Sequence, residues 1–212
     1  PAWRERLMTI LSYRERLRTI PAHGDPAQRE PYWINGYLPG LDAAALYAFV
    51  AARAPRRYVE IGSGHSTRFA ARAIRDHGLA TTITTVDPAP RASVEGLATT
   101  VVRARLEDQD PAHVVSLVAP GDVLFYDGSH RVFENSDVTV FFLEIVPRLA
   151  PGVLVQVHDI CLPYDYPLGW EDRWYSEQYL LAAWLLGGAA GMRVVLPNAF
   201  VSKEEALRSV CD

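Results

Sequence analysis

RRYVEIGSGHSTR, residues 56–68, is the stretch whose reading decides the fold. Tyr58, Val59 and Ile61 form a short apolar run of strand type. The run enters a turn in which Gly62 and Gly64 bracket Ser63, so the backbone can take positive φ and approach a ligand with no Cβ in the way. Beyond the turn, FAARAIRDHG places Phe69, Ala73 and Ile74 at helical spacing, with Ser66 or Thr67 as the expected N-cap and Gly78 as the stop. Strand, glycine turn and helix in this order form the nucleotide-binding corner of a doubly wound α/β sheet.

The residues of the turn narrow the ligand. A dinucleotide fingerprint needs a third glycine where this chain has Thr67, which argues against a pyrophosphate on a tightly packed helix N-terminus. Glu60 stands two places before the first glycine, and the next apolar run, TTITTV at 81–86, ends in Asp87, placed to accept both hydroxyls of a ribose. This pattern of acid, Gly-x-Gly and acid at the end of the second strand is similar to the class I S-adenosylmethionine-dependent methyltransferases. The resemblance implies that Glu60, Gly62, Ser63 and Gly64 lie along the methionine and adenosyl parts of the cofactor, and that Asp87 binds the ribose. Further on, Glu107 or Asp108 follows the third strand and could reach an adenine amino group. The same acids also suit a helix N-terminus through the macrodipole.

Length and composition agree with one such domain. The chain has 212 residues, 49% of them hydrophobic, and a net charge of −4, which leaves no basic footprint for nucleic acid. Lys203 is the one lysine among the 21 basic residues, a bias that points to a GC-rich bacterial genome. Cys161 and Cys211 have no metal or redox spacing. The longest apolar stretch, LLAAWLLGGAAGM from 180, is shorter than the ~20 residues a membrane span needs. With no signal peptide in view, a cytoplasmic protein is expected, although a chain that begins at Pro1 could have lost its N-terminus.

Taken in order, residues 3–20 carry Trp3, Leu7, Ile10, Leu11, Leu17 and Ile20 in an amphipathic helical pattern. Residues 21–40 are rich in proline, glycine and aromatics and read as an ordered crossing segment. LDAAALYAFVAAR from 41 is a helix. After Asp87 a helix is expected to about 98, then a strand at 99–105 and a helix over LEDQDPAHVVSLV. DVLFYD (122–127) is the fourth strand, SDVTVFFLEIVPRLA the helix after it and VLVQV (153–157) the fifth strand. CLPYDYPLGW is a loop, followed by a helix from Asp172. MRVVLP and AFVS suit a closing hairpin, and KEEALRSV a terminal helix.

The fourth strand ends in Asp127-Gly-Ser-His130 and the fifth in His158-Asp159, at the sheet edge where ligands bind in this architecture. Asp127 and Asp159 are hard oxygen ligands suited to Mg²⁺ or Mn²⁺. Two carboxylates on adjacent strands would repel unless a cation lies between them. His130 could take the proton from an attacking hydroxyl. VEIGSGHST, TVDP, DGSH and HDI together resemble the methyltransferase-24 group, which includes metal-dependent macrolide-sugar O-methyltransferases and cephalosporin-hydroxylase-like proteins. The resemblance runs from about residue 37 to the end. It implies Asp127 as metal ligand and His130 as base. The later ligand pair is acidic in those enzymes, whereas here it is His158-Asp159, which leaves Asp159 a ligand, puts His158 in doubt and admits a softer metal or none.

The expected architecture is one α/β domain over 1–212 with an N-terminal helical extension to about 40. The resemblance supplies a Rossmann-like seven-stranded sheet in the order 3-2-1-4-5-7-6 with strand 7 antiparallel. The expected activity is S-adenosylmethionine-dependent methyl transfer to a hydroxyl of a small-molecule substrate. Tyr164, Tyr166, Trp170 and Trp174 are candidates for the substrate wall. A metal-assisted hydrolase or hydroxylase, or a non-catalytic cofactor-binding subunit, remains as an alternative, and homo-oligomerisation is left open.

Overall fold

A computed structural model describes residues 2–90 and 94–208. Its elements are α1 (Ala2–Leu11), α2 (Arg14–Leu17), α3 (Gly40–Arg53), β1 (Arg57–Ile61), α4 (His65–Asp76), β2 (Thr82–Val86), β3 (Thr100–Val102), α5 (Pro111–Ser116), β4 (Val123–Tyr126), α6 (Asp137–Val140), β5 (Leu154–Val157), α7 (Glu177–Leu186), α8 (Asn198–Lys203) and α9 (Glu205–Arg208). The five strands form one parallel sheet in the order β3-β2-β1-β4-β5. This is the Rossmann-like α/β fold expected of the sequence, and the strands keep the expected positions 3-2-1-4-5.

β1 and β4 lie in the middle of the sheet, and every residue of β4 is buried. Their side chains alternate between two cores, as the period of two along a strand requires. Tyr58, Val123 and Phe125 pack with Leu46 and Tyr47 of α3 and Phe69 of α4. Val59, Ile61, Leu124 and Tyr126 pack with Val114 of α5, Val138 of α6 and the phenylalanines that follow it. A sheet covered on both faces needs apolar residues at successive positions, which is why VLFY reads as a continuous run.

Several local expectations are corrected. The helix expected over 3–20 breaks after Leu11, where Ser12 Oγ donates to the Thr9 carbonyl at 2.7 Å and competes with the backbone ladder. No helix follows Asp87 in the described residues up to 98. The Asp87 carboxylate takes the Ala89 N–H at 2.8 Å, and the prolines at 88 and 90 withhold theirs; residues 91–93 of that expected helix lie outside the described residues. The helix expected from 136 starts as α6 and then widens into a π turn at Phe141–Ile145 and a 3₁₀ turn at Val146–Arg148. Both phenylalanines are thereby buried, with Phe141 stacked on Tyr126 at 3.9 Å between ring centres.

The helix expected from Asp172 is a single 3₁₀ turn at Glu171–Arg173, and α7 proper begins at Glu177. The closing hairpin is replaced by residues 192–197 without strand pairing and by α8. Asn198 anchors α8 to α3 by donating to the Asp42 carboxylate at 2.7 Å. Strands 6 and 7 of the expected order are not among the described elements. No helix is long and apolar enough to cross a membrane among the described residues.

At the opposite sheet edge from the turn, Asp122 ties the starts of β1 and β4 together. Its carboxylate accepts from Arg57 N at 2.8 Å, Arg57 Nε at 2.9 Å and Ala119 N at 2.9 Å, and the residue is 2% exposed. Asp122→Ala removes the acceptor of two partly buried amides and of Arg57 Nε, leaving the guanidinium only its bond to the Ser116 carbonyl. It should lower the stability by about 2–4 kcal/mol, read from the urea midpoint at unchanged m-value.

Candidate active site

The glycine turn is built by close approach of backbones. Gly62 has φ +76, and a Cβ there would stand 1.9 Å from the Asp127 carbonyl oxygen. Asp127 N in turn donates to Ile61 O at 2.8 Å, and Gly62 N to Val86 O at 3.0 Å. The carboxyl ends of β1, β2 and β4 are thus locked together around Gly62. The outer side of the turn stays open, since a Cβ on Gly64 would meet nothing within 4 Å.

Side chains hold the remaining shape. Asp87 Oδ2 accepts from Ser63 N at 2.8 Å and Ser63 Oγ at 2.9 Å. The helix begins one residue after Gly64, so neither Ser66 nor Thr67 is the N-cap. Thr67 is the third helical residue, and its hydroxyl accepts from Gly64 N at 3.0 Å while donating to Glu60 Oε2 at 2.5 Å. That bridge accounts for threonine at the position where a dinucleotide site has glycine. Glu60 also accepts from the Tyr58 hydroxyl at 3.1 Å and is fully buried, so it acts on the turn from beneath. Burial pushes its carboxyl up to about 8, against hydrogen bonds from Ser66, Thr67 and Tyr58. Glu107, half-buried, lies in the 3₁₀ turn Leu106–Asp108 after β3.

The second group of residues lies across the Gly62–Asp127 contact. β4 and β5 pair with Tyr126 level with Val157, which sets His158 beside Asp127 and Asp159 one residue beyond. The two carboxylates do not face each other bare, because imidazoles stand between them. His130 Nε2 is 3.1 Å from Asp127 Oδ1 and 3.7 Å from Asp159 Oδ2. His158 Nδ1 is 3.4 Å from Asp127 Oδ1 and 3.6 Å from Asp159 Oδ1. The cation that the sequence argument demanded can therefore be an imidazolium, and the repulsion argument for a metal loses its force.

Electrostatics follow the geometry. Burial opposes a charge on His130, but the hydrogen bonds with Asp127 and Glu177 outweigh it and raise the ring to about 11. Burial likewise opposes charge on His158, and Asp127 carries it up to about 9. Asp127, although burial works the other way, is held well below the usual carboxylate range by His130 and His158. His130 and Asp159 both have left-handed backbones, φ 62 and 53, a conformation that costs a non-glycine residue about 1–3 kcal/mol.

A divalent ion fits this donor set. Asp127, His130 and His158 offer ligand atoms that all lie within 4.8 Å of one another. Both ring nitrogens of His158 are buried without a hydrogen-bond partner. Two imidazoles and a carboxylate suit a softer first-row ion better than Mg²⁺. Asp159, read from the sequence as the second ligand, lies 3.7 Å from His130 Nε2 and 3.6 Å from His158 Nδ1 and is not one of the three clustered donors.

Glu177 belongs to the group and was not singled out from the sequence. It is fully buried, with Oε1 2.5 Å from His130 Nδ1. In the chain it is an ordinary acid in the first turn of a helix, 47 positions from its partner, and no local signal separates it from Glu171 or Asp172. Three of the four expected wall residues, Tyr166, Trp170 and Trp174, line a cleft of about 600 Å³ together with Tyr175, whose ring lies 4.3 Å from that of His130. Tyr164 sits instead beneath the Lys203 ammonium, 4.0 Å from its ring centre. A larger cavity of about 740 Å³ runs along β5, lined mainly by apolar residues such as Val155, Trp184 and Leu196, and lacks such a cluster.

Residues 59–160 match the methyltransferase-24 family, described as a methyltransferase domain. No curated protein matches the chain. Among solved structures, the chain is similar to the S-adenosylhomocysteine-bound methyltransferase PaMTH1 of Podospora anserina, at 17% identity and a TM-score of 0.48, over 85% of this chain and 78% of that one.

The buried Glu60 carboxyl has a consequence for stability. Its folded value of about 8 lies above the ordinary 4.5, so the neutral acid contributes stability that is complete below about pH 4.5 and is lost as the pH rises through 8. Glu60→Gln mimics the neutral acid. It should match the wild type near pH 5 and exceed it by about 1–4 kcal/mol near pH 8.5, measured by urea denaturation at both values.

Proposed function

From the match of residues 59–160 to the methyltransferase-24 family, we propose that this chain is a class I S-adenosylmethionine-dependent methyltransferase that moves the cofactor's methyl group to a hydroxyl oxygen of a small molecule. The observation that supports this reading is the contact of Gly62 with the Asp127 backbone, which brings the glycine turn next to the strand end that carries Asp127 and His130. A donor on the turn and an acceptor at His130 would then be neighbours, as an in-line displacement needs.

Bound S-adenosylmethionine would supply an electrophilic methyl group on a sulfonium. Asp87 Oδ1 keeps a lone pair for a ribose hydroxyl beyond its bond from Ala89, whereas Oδ2 is filled by Ser63 N and Oγ, so a second ribose bond would replace that of the Ser63 hydroxyl. Ser63 and Gly64 border the open side of the turn, Glu60 supports it through Thr67, and Glu107 is the candidate for the adenine edge. The acceptor enters through the aromatic cleft past Tyr175; His130, charged at rest between Asp127 and Glu177, first releases its Nε2 proton to solvent and then takes the acceptor's hydroxyl proton at that nitrogen. Asp127 and His158 would hold a divalent ion, with His130 as the third donor of the set when it is not serving as base, and the ion would lower the pKa of a bound hydroxyl.

A second reading, a metal-independent base, is favoured by the imidazoles that already stand between the two carboxylates. Chelation separates the two. Calorimetry should show S-adenosylhomocysteine binding in preference to NAD, and Asp87→Ala should weaken it at least about tenfold, because each charge-assisted bond contributes about 1.5–3 kcal/mol. Transfer from methyl-labelled cofactor, screened over phenolic and sugar hydroxyls, should fall about 10²–10⁴-fold in His130→Ala with cofactor affinity kept. Cofactor binding without transfer to any acceptor would favour a non-catalytic subunit, and NAD binding in preference would sink the reading.

A further inference from the structure

We propose that Glu177 is a positioning residue that grips Nδ1 of His130 and so turns Nε2 towards Asp127 and the acceptor, an inference that rests on the methyltransferase reading above. The geometry carries it. Glu177 has no exposed surface, its Oε1 lies 2.5 Å from His130 Nδ1, and its Oε2 has no partner among the described residues. A carboxylate sealed from water is costly unless paired, so His130 is the reason it can be there. The opposite ring nitrogen faces Asp127 at 3.1 Å. Held at Nδ1 by Glu177, the ring has one orientation, with Nε2 directed at Asp127 Oδ1.

The backbone is held by the same helix start. Ser176 N and Glu177 N both donate to the His130 carbonyl, at 2.7 and 3.3 Å. Val132 N donates to Ser176 Oγ at 2.8 Å, and Arg131 Nε to the Arg173 carbonyl at 3.0 Å. His130 has φ 62, which a histidine keeps only when its surroundings over-determine it. The first turn of α7 thus sets both the main chain and the ring of His130. Tyr175, just before that turn, closes one face of the ring at 4.3 Å. Loop residues alone would leave the imidazole free to rotate.

A purely structural ion pair would affect folding and nothing else, so the test reads the ring itself. In the full ¹⁵N-labelled chain saturated with S-adenosylhomocysteine, the wild type should show a low-field Nδ1 proton, assigned by its loss in His130→Asn. That resonance should vanish in Glu177→Leu and move upfield in Glu177→Gln, which keeps the shape if the leucine variant does not fold. With the first acceptor to score in the hydroxyl screen, Glu177→Gln should lose about 10–10²-fold in kcat, with KM and cofactor affinity unchanged. Glu177→Asp should recover part of that loss. An Nδ1 proton that stays in place in Glu177→Gln, or a loss of turnover matched by an equal loss of cofactor affinity, overturns the proposal. Failure of the wild type to bind S-adenosylhomocysteine would instead sink the methyltransferase reading, while the same spectra recorded on the free chain still decide whether Glu177 holds the ring.

Discussion

The contact between Gly62 and the Asp127 carbonyl is the constraint on which the rest depends. A single methyl group at position 62 would lie 1.9 Å from that oxygen, so the ends of β1 and β4 can meet only because the residue is glycine, and its φ of +76 is one that glycine takes without strain. The approach serves two purposes at once. It leaves space beside Gly64, where a Cβ would meet nothing within 4 Å, and it fixes the backbone that carries Asp127. Asp122 performs the complementary task at the far end of the same two strands, where its carboxylate gathers the donors left over at the strand starts.

Charge balance is the second organising principle. Asp127, Asp159 and Glu177 bring three carboxylates to a small, largely water-free volume, and His130 and His158 stand among them. Buried like charges so close are tolerated only with compensation, and here each imidazole serves more than one acid. Such an arrangement is preorganised for a proton to be gained or given up at a ring nitrogen. The same arrangement sets ligand atoms of Asp127, His130 and His158 within 4.8 Å of one another. The left-handed backbones at His130 and Asp159 show that the fold accepts local strain to bring these side chains together.

The aromatic segment between β5 and α7 shows how a surface loop becomes part of a site. Tyr166, Trp170 and Tyr175 pack edge-on or stacked against one another, with Arg173 4.1 Å above the Trp170 ring. Gln178 fastens the returning chain by accepting at its side-chain Oε1 from Cys161 N at 2.9 Å, while its backbone N–H donates to the Tyr166 hydroxyl at 3.2 Å. The cleft wall is held by these ring contacts and hydrogen bonds, and Tyr175 connects it to His130.

The sequence by itself determined the α/β corner, the five parallel strands and the residues at their carboxyl ends, because period-two apolar runs, glycines and strand-end acids are local signals. Asp87, Asp127, His130, His158 and Asp159 were all legible in that way, and β4–β5 pairing made the last four neighbours. Only the tertiary structure decided what stands between the carboxylates, since that depends on register and on a left-handed residue that no pattern announces. Glu60 illustrates the same division: its place before the glycine turn is plain in the chain, but its burial beneath Thr67 is a property of packing. Glu177 is the furthest case. Its partner is 47 residues away, and an acid at a helix start becomes a histidine's anchor only when the chain between them folds back over the sheet edge.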